Sequence, residues 1–431
     1  MTAKGLATEL FGQISQIRCI NSHSHVLPEE VRLSQRVDAL ALFGEVYSKA
    51  DLIAAGMPAE ALEEALNPGL PLAQRWKVFE PYWRSIRLTG YSQCILEGLR
   101  GLFGFSELTA ATVGPISEAI REACRPGYYH QILGEKCNIA LSVVNMEDLA
   151  EVDRSLFIPL PRLNRFSSMR KGYLSLQQIQ AIERDYDVSI GSLDEHVETI
   201  ERVCQQWKRA KVAGIKLSHS NHRRMDFRRR SRLDATKVFE QLLRGDRLEH
   251  EKERLLEDHL VFECCRAASD VGLAIQFHMG MRASNNRSLE GASPAPMVPL
   301  LQAFPNARFD LSHSGYPYLR EAAILGKTFA NVYLNMSWIH IISPAGVRNG
   351  LKEWLGMVPY NKIVAFGDDL QYVENVYGHL KIARQNVAFA LAEAIQEGLI
   401  PESAALDVAR AIFYENPVRL YGLHFLSEQA A

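Results

Sequence analysis

The 431-residue sequence lacks the features that mark several classes of protein. Its 48 basic and 50 acidic residues leave a net charge of −2, so no general nucleic-acid or membrane surface is indicated. No apolar run approaches the roughly 20 residues that cross a bilayer, and the N-terminal sequence has no signal-peptide core or cleavage site. The seven cysteines form no CxxC pair, which argues against a zinc knuckle or a disulfide framework. We therefore expect a cytoplasmic protein without nucleic-acid or membrane partners.

Internal repeats and low-complexity tracts are also absent, and one charge cluster stands out. This cluster is the basic sequence "RRMDFRRRSR" (223–232). We interpret it as a solvated surface, with an anion-binding site or a subunit contact as the alternative. The sequence leaves the formation of a homo-oligomer open. The length suits either a barrel with one insertion or two to three average domains.

Short apolar runs recur along the chain and have the character of buried parallel strands. Helical patterns separate many of them, which predicts an α/β protein. Seven runs are evident: "IRCINSH" (17–23), "NIALSVVN" (138–145), "AGIKLSH" (213–219), "GLAIQFHMG" (272–280), "ARFDLSHSG" (307–315), "NVYLNMSW" (331–338) and "KIVAFGDD" (362–369). An eighth strand is expected near "LFIPLPRLNRF" (156–166), where prolines weaken the pattern.

The segment 28–130 breaks this alternation of strands and helices. Its patterns are helical, as in "DLIAAGMPAEALEEAL", "SQCILEGLRGLFG" and "GPISEAIREACR", and no strand is convincing. We therefore predict a (β/α)8 barrel of the TIM type, formed by residues 1–27 and 131–431. The helical insertion after the first strand, residues 28–130, is expected to cover the active-site mouth. Barrel enzymes build that mouth at the carboxyl ends of their strands.

Histidine and aspartate residues stand at the ends of several predicted strands. His23 and His25 end the first run, and side chains two positions apart in a strand face the same side. His278 ends "LAIQF", His313 follows "RFDLS", and Asp369 ends "KIVAFGDD". Each residue alone is a weak indication, because a single histidine at a strand end is often structural. Their coincidence predicts a metal centre, since imidazole and carboxylate are suitable ligands for zinc, manganese or iron.

The order of these residues resembles the amidohydrolase superfamily, with HxH on strand one, histidines on strands five and six, and aspartate on strand eight. Further motifs resemble its amidohydrolase-related branch, which includes nodulin-like domains fused to glutamine synthetase-type enzymes. These motifs are "PYWRSIRLTGYSQCILEGLRGLFG", "QFHMG", "LSHSGYPYLREAA", "VYLNMSW", "FGDD" and "ARAIFYENPVRLYGL". The helical insertion is also similar to that of uronate isomerases. The resemblance covers roughly residues 15–425 and is specific for the superfamily rather than for a substrate.

The resemblance implies that His23, His25, His278 and Asp369 hold a divalent metal. Zinc is expected, with manganese or iron as alternatives, and one ion rather than two. The family's aspartate follows an FG(S/T) stretch, which places it on Asp369; here its neighbour Asp368 is also an aspartate. Strand alternation allows one of the two carboxylates to face the barrel interior.

Two further residues are implied to act beside the metal. His313 matches a strand-six histidine that acts near the substrate in single-metal members. Lys216 lies on the fourth strand, where two-metal members carry a carboxylated lysine that bridges the ions. For Lys216 a substrate or neighbouring contact and a structural role are the alternatives.

Substrate recognition is expected from the insertion and from the loops at the same mouth. Arginine binds carboxylates through two parallel hydrogen bonds, so we predict a small acidic substrate. The candidate residues are Trp83, Arg84, Arg87, Arg282, Tyr316, Tyr318 and Trp338. Packing or a surface ion pair is the alternative for each of them.

These residues together predict a metal-dependent hydrolase that cleaves an amide, lactone or related bond with a metal-activated water. Asp369 would take the proton of the water, and His313 would hydrogen-bond the substrate oxygen. A sugar-acid isomerase similar to uronate isomerases, or a metal-dependent lyase or decarboxylase, is the alternative on the same scaffold. A non-catalytic ligand-binding domain is a third alternative, disfavoured by the complete set of metal-binding residue types.

Overall fold

The computed structural model describes residues 2–146, 152–170, 173–282, 285, 289 and 291–428. After the N-terminal helix α1 (Ala3–Ile14), the described residues form eight strands at the eight predicted positions. They are β1 (Cys19–Ser24), β2 (Ile139–Val144), β3 (Phe157–Pro159), β4 (Gly214–Leu217), β5 (Ala274–His278), β6 (Arg308–Ser312), β7 (Val332–Asn335) and β8 (Ile363–Val364). Nearly all strand residues are buried, because helices cover the sheets on the outside. This is why the strands appear in the sequence as continuous apolar runs.

All strand pairs are parallel, and strands that follow one another in the chain lie side by side. This is the topology of a (β/α)8 barrel, as predicted. The strands form one sheet of three, β1-β2-β3, and one of five, β4-β5-β6-β7-β8. The barrel is therefore not one continuous closed sheet. It has two seams without regular pairing, which we call the β3/β4 seam and the β8/β1 seam.

Prolines explain the β3/β4 seam. Pro159 and Pro161 have no backbone N–H to donate, so a regular ladder cannot form along this edge. Single hydrogen bonds cross the seam instead, from the Ala213 amide to the Pro159 carbonyl (2.9 Å) and from the Lys216 amide to the Pro161 carbonyl (2.9 Å). They bring Arg162 into an isolated bridge with Lys216.

The β8/β1 seam is crossed by the chain that continues beyond the two-residue strand β8. The Asp369 amide donates to the His23 carbonyl (3.0 Å), and the His25 amide donates to the Leu370 carbonyl (3.2 Å). Two segments separated by more than 340 residues in the chain thus run side by side. This pairing places the predicted metal-binding residues of both segments next to each other.

The barrel helices follow the strands and end with a C-terminal group. They are α8 (Asn164–Ser167), α9 (Leu176–Tyr186), α10 (Leu193–Arg209), α11 (Arg232–Leu243), α12 (His250–Asp270), α13 (Val298–Ala303), α14 (Leu319–Thr328), α15 (Ile339–Ile342), α16 (Pro344–Leu355), α17 (Val373–Gln396), α18 (Ala405–Arg410), α19 (Asn416–Tyr421) and α20 (Phe425–Glu428). Shorter 3₁₀ and π segments are Ala41–Gly44, His130–Lys136, His219–Asn221, Ala295–Met297, His313–Gly315, Tyr360–Lys362, Glu402–Ala404 and Ala411–Glu415. Among the described helices, none combines the length and apolar character of a membrane span.

Helix α10 shows how local sequence sets these elements. The Ser192 side chain accepts a hydrogen bond from the Glu195 amide, and Glu195 in turn accepts one from the Gly191 amide (2.7 Å). Such a capping box satisfies backbone donors that a helix start otherwise leaves free. The buried face carries Ile200 and Val203, which pack into the barrel core.

The segment between β1 and β2 is helical, as predicted. Its helices are α2 (Glu29–Ser34), α3 (Val46–Ala54), α4 (Ala59–Leu66), α5 (Leu72–Ile86), α6 (Gly90–Phe103) and α7 (Val113–Ala123). Many of its apolar side chains pack into a core of their own, which contains Phe43, Phe79 and Trp83. The insertion therefore has a hydrophobic core distinct from that of the barrel.

Two glycines allow the insertion to pack closely on the barrel. A Cβ atom added to Gly378 of α17 would lie 1.9 Å from the Cys94 carbonyl oxygen of α6. A Cβ added to Gly98 of α6 would lie 2.4 Å from the Glu374 carbonyl oxygen of α17. The backbones of α6 and α17 are therefore in direct contact, and α17 begins only four residues after Asp369.

Candidate metal centre and cavity

His23, His25 and Asp369 converge on one point at the β8/β1 seam. The Nε2 atoms of His23 and His25 each lie 3.0 Å from the same oxygen, Oδ1 of Asp369. One potential ligand atom from each residue lies within 4.8 Å of the others. Strand alternation explains the pair of histidines, because positions 23 and 25 face the same side.

The protonation states of this cluster suit a metal cation. Burial, together with the nearby charge of Lys216, lowers the pKa of His23 to about 3, so its imidazole is neutral at pH 7. Burial acts to raise the pKa of Asp369, but electrostatic interactions and hydrogen bonds with the neighbouring histidines hold it well below its usual value. Neutral imidazoles and an ionised carboxylate are the donors that zinc and related divalent ions take. The residues present therefore fit a divalent metal.

His278 and His313 lie beside this cluster and contact each other. Their ring nitrogens, Nδ1 of His278 and Nε2 of His313, are 3.1 Å apart, and Nε2 of His278 lies 3.3 Å from the Met281 carbonyl. His313 Nε2 is 3.7 Å from Oδ2 of Asp369. Within the described part of the chain, the compact three-residue group does not include His278, although His278 lines the same cavity.

Asp368 and Asp369 have separate environments. Asp369 adopts a left-handed backbone conformation, with a φ of 56°, and its carboxylate faces the histidines. The Asp368 carboxylate accepts hydrogen bonds from the side-chain amide of Asn21 and from the backbone N–H of Leu370 (2.7 Å). The Asp369 carboxylate thus belongs to the histidine cluster, whereas the Asp368 carboxylate hydrogen-bonds to β1 and to the loop after β8.

Lys216 reaches the cavity from β4 and is held from inside the barrel. Its Nζ donates to Oε1 of Gln276 (2.6 Å), and Gln276 donates to Asp310 (2.6 Å). Burial lowers the pKa of Lys216 to about 7. The amine is thus close to its protonation midpoint at neutral pH, and Gln276 fixes its position.

These groups face a cavity of about 360 Å³ at the carboxyl ends of the strands. Its walls are polar and carry several cationic side chains close to the metal-binding cluster. The lining residues are His23, His25, Glu45, Val46, Tyr47, Asn145, Arg162, Arg170, Lys216, Ser218, Asn221, His278, Arg282, Asp369, Leu370 and Gln371. The volume lies within the range typical of small-molecule sites, about 300–1,000 Å³.

The insertion contributes Glu45 and Tyr47 to this cavity. The Tyr47 ring stacks on Trp338, with ring centroids 4.5 Å apart. Glu45 is buried and its pKa is raised to about 7, chiefly by that burial and against the hydrogen bonds that it accepts from the backbone of Gln371 and Tyr372. The start of α3 therefore forms part of the cavity wall.

Three predicted substrate residues on α5 and at its end do not line the cavity. Trp83 is buried in the insertion core, where its Nε1 donates to the Leu108 carbonyl (3.0 Å). Arg84 is 73% exposed and pairs with Glu80 on the same helix. Arg87 caps the end of α5 and is exposed. None of the three is among the described lining residues of the cavity.

The other predicted substrate residues have different positions. Arg282 lines the cavity. Trp338 is buried behind Tyr47 and His313, and so it packs against the wall rather than forming it. Tyr316 and Tyr318 are half-buried in the loop after β6 and are not among the described lining residues.

Several lining residues were not predicted from the sequence. Arg162 and Arg170 lie in the proline-containing region of β3 and the loop beyond it, where no strand end was evident. Glu45 and Tyr47 lie in the insertion, and only its folding brings them over β8. A search for arginines after each predicted strand would have found Arg162, but nothing in the sequence marks Glu45.

Comparison with known proteins gives relatives that align over nearly the whole chain. The chain is 25% identical to a uronate isomerase from Phenylobacterium zucineum, over 97% of this chain and 94% of that protein. It is similar in structure to a glucuronate isomerase from Caulobacter crescentus, with a TM-score of 0.81, 20% identity, and 98% and 94% of the two chains covered. A uronate isomerase from Thermotoga maritima also gives a TM-score of 0.81, with 14% identity and 97% of both chains covered. At these identities, the two solved structures show the fold.

The predicted hydrolase activity is wrong. Curated relatives that align over at least 95% of this chain are named uronate isomerases, so the isomerase alternative fits the comparisons better. The physical reason for the error is that the same metal ligands can polarise a carbonyl group for hydrolysis or for isomerisation. The comparisons support the superfamily and the similarity to uronate isomerases, but not the narrower resemblance to the nodulin-like branch.

The second half of the chain matches a known family directly. Residues 174–423 match the family described as Amidohydrolase. This segment contains β4 to β8 and therefore Lys216, His278, His313 and Asp369. The family indicates a divalent metal, and His23, His25 and Asp369 form a suitable site for one. Because the match spans more than half of its length, the chain belongs to the amidohydrolase family.

Proposed function

We propose that this protein is a divalent-metal-dependent isomerase that interconverts the aldose and ketose forms of a uronic acid. One observation carries the proposal: a single small cavity combines arginines suited to a carboxylate with the His23–His25–Asp369 cluster suited to a carbonyl. A uronic acid presents these two groups at opposite ends of one molecule. The full-length similarity to uronate isomerases supports the same substrate class.

The arginines would bind the carboxylate. Arg162, Arg170 and Arg282 all line the cavity, and Arg162 is oriented by a hydrogen bond from its Nε to the Asn145 side chain (3.0 Å). Charge-assisted hydrogen bonds from guanidinium groups are roughly twice as strong as neutral ones and fix the direction of a planar carboxylate. Ser218 and Asn221 add hydroxyl and amide groups that can bind sugar hydroxyls.

Asp369 would move the proton. Aldose–ketose isomerisation requires removal of a proton from C2, its return to C1, and transfer of a proton between the two oxygens. Asp369 stays ionised at neutral pH and lies at the cavity wall, so its carboxylate can accept the C2 proton and return it to C1. Lys216 and Tyr47 line the same cavity and can hydrogen-bond the oxygens as their charge changes. A bound divalent ion would supply polarisation of the substrate carbonyl.

We propose one ion per chain, held by His23, His25 and Asp369, with zinc favoured by the donor set. His278 and His313 would support it from the side, since each already uses a ring nitrogen to contact the other. Lys216 would act as an amine rather than as a carboxylated bridge, because its Nζ donates to Gln276 within the barrel. The lysine would then contribute positive charge near the substrate oxygens.

The domain division is also a proposal. Residues 28–130 would form a unit that covers the mouth of a barrel made by residues 1–27 and 131–431. The separate hydrophobic core of the insertion and the positions of Glu45 and Tyr47 in the cavity wall support this division.

The test is incubation of metal-loaded protein with a panel of hexuronates, followed by chromatographic detection of the matching ketose acids. Conversion of at least one uronate is expected, with little or no conversion of the neutral aldoses that differ only in lacking the carboxylate. In deuterated water, exchange of solvent deuterium into the product would support a carbon–proton transfer. Absence of conversion for the whole panel, with metal bound, would refute the proposed function.

A further inference from the structure

Glu45 connects the insertion to the loop that carries Asp369. It immediately precedes α3 and is 5% exposed. One oxygen of its side chain, Oε1, accepts hydrogen bonds from the backbone N–H groups of Gln371 (2.7 Å) and Tyr372 (3.0 Å). These residues follow Asp369 and lead into α17.

The local structure around Glu45 does not explain this arrangement. Glu45 occupies the N-cap position of α3, where a side-chain oxygen commonly accepts a hydrogen bond from its own helix. The Glu45 side chain makes no such bond and reaches across to the other segment. Burial of a carboxylate is unfavourable, as the raised pKa of Glu45 also indicates. The two bonds to residues 371 and 372 offset part of this cost.

The loop after Asp369 depends on a small set of contacts at its start. The Leu370 carbonyl accepts from the His25 amide (3.2 Å), and the Leu370 amide donates to Asp368 (2.7 Å). Glu45 then receives the next two amides. Asp369 itself has a left-handed backbone, which its neighbours must maintain, because non-glycine residues seldom adopt it unaided.

We propose that Glu45 is a positioning residue that fixes the direction of the Asp369 carboxylate by holding the loop at residues 371 and 372. It thereby makes the metal centre depend on the folded insertion. The substrate readouts below rest on the proposed isomerase function, whereas the metal-binding readout does not.

A direct role in proton transfer is the competing explanation, because Glu45 also lines the cavity. The geometry separates the two. Both backbone bonds use one oxygen, so Glu45→Gln keeps an acceptor at that position but loses the acidic proton. Glu45→Asp keeps the acid but is one methylene shorter, and Glu45→Ala removes the acceptor.

Glu29 provides a matched control. It also lies in the insertion, and its carboxylate also accepts two backbone N–H groups, those of Gly127 (3.1 Å) and Tyr129 (2.7 Å). Its two bonds go to residues 127 and 129, whereas those of Glu45 go to residues 371 and 372. Glu29→Ala therefore removes the same kind of interaction at a different place.

The experiment measures binding of Zn²⁺ and of Mn²⁺ to metal-stripped full-length variants by titration calorimetry, then kcat and KM for the converted uronate. Glu45→Ala and Glu45→Asp are expected to weaken metal binding about 10- to 100-fold, as loss of a supporting partner typically does. Their kcat should fall more than their KM changes. Glu45→Gln should retain metal affinity and kcat within about threefold of the wild-type values. Glu29→Ala should likewise change metal affinity and kcat by less than about threefold.

Two results would overturn the proposal. Loss of turnover in Glu45→Gln with metal binding intact would make Glu45 a proton-transfer residue. Wild-type metal affinity in both Glu45→Ala and Glu45→Asp would remove its positioning role, and if Glu45→Ala does not fold, Glu45→Asp alone decides. Failure of the isomerase function would be seen separately, as absence of turnover in the wild type with its metal affinity unaffected.

Discussion

Asp368 and Asp369 are adjacent in the chain, yet their carboxylates serve different parts of the molecule. Asp369 lies 3.0 Å from the ring nitrogens of two histidines, whereas Asp368 receives the Asn21 amide and the Leu370 N–H (2.7 Å). Burial acts to raise the pKa of both, but the histidines lower that of Asp369, while that of Asp368 stays well above its usual value. Substitution of the two residues should therefore have distinct effects.

Asp369→Asn should abolish metal binding and turnover while leaving the fold intact, because it removes the one carboxylate of the cluster. Asp368→Asn should instead lower the free energy of unfolding by about 1–3 kcal/mol, since its new amide would face the donor of Asn21. The measurements are metal content, kcat and urea unfolding for both variants. Substantial turnover in Asp369→Asn would contradict its assigned role.

Removal of the metal should abolish turnover reversibly. Dialysis against a chelator is expected to leave inactive protein, and Zn²⁺ or Mn²⁺ should restore it with about one ion bound per chain. Elemental analysis of the purified protein checks the number of ions. Two ions, together with an intact-protein mass that shows a carbamate on Lys216, would contradict the single-metal proposal.

Arg170→Met should raise KM for the uronate about 10- to 100-fold with a smaller effect on kcat, because it removes a charged partner of the carboxylate. Any residual activity towards the matching neutral aldose should be unchanged. Arg165→Met is the control, since Arg165 pairs with Asp185 (2.7 Å) and is not among the described lining residues. Equal effects of the two substitutions on KM would exclude Arg170 from substrate binding.

The protein should lose stability in acid partly through His196. Burial lowers the pKa of His196 to about 4 in the folded state, against 6.5 for the unperturbed side chain. Below pH 6.5 the unfolded chain therefore binds a proton at His196 that the folded chain excludes. The free energy of unfolding thus decreases as the pH is lowered from 6.5 towards 4. By pH 4.5 this amounts to about 2–3 kcal/mol.

Urea unfolding at pH 7 and pH 4.5 tests this. His196→Gln does not titrate and can still donate to the Phe166 carbonyl, which lies 2.8 Å from Nε2 of His196. Between pH 7 and pH 4.5, the free energy of unfolding of His196→Gln should therefore fall by about 2–3 kcal/mol less than that of the wild type. His250→Gln, at an exposed site, is the control and should retain the wild-type dependence. An unchanged dependence in His196→Gln would show that the residue is not responsible.

The strands could be predicted because burial on both faces of a sheet requires continuous apolar runs in the sequence. The helical insertion could be predicted because apolar residues of a helix recur about every 3.6 residues. The position of the candidate metal-binding residues was predicted from the same runs, since parallel strands end at one side of a barrel. The contacts of His278 with His313 could not be predicted, because ring orientations depend on packing. Arg84 and Trp83 were assigned to the substrate, but the sequence does not show that α5 packs within the insertion core and contributes no residue to the described cavity wall.

The type of reaction was beyond the sequence for a different reason. Histidine and aspartate ligands of the kind proposed at His25 and Asp369 serve several carbonyl reactions. In the proposed function, the side chains that discriminate among substrates are Arg162, Arg170 and residues of the insertion. Arg170 and the insertion residues follow no strand-end pattern, and they come close to the His23–His25–Asp369 cluster only in the folded chain.

The two seams of the barrel have a consequence for ligand-induced stabilisation. The cavity wall is drawn from both sheets: His23, Asn145 and Arg162 belong to the three-stranded part, and Lys216 and His278 to the five-stranded part. A molecule bound there would cross-link the two halves where their own hydrogen bonding is sparse. Binding of such a molecule should thus raise the melting temperature. It should also slow exchange of the backbone amides along the β3/β4 seam and the β8/β1 seam, including amides that do not contact the bound molecule.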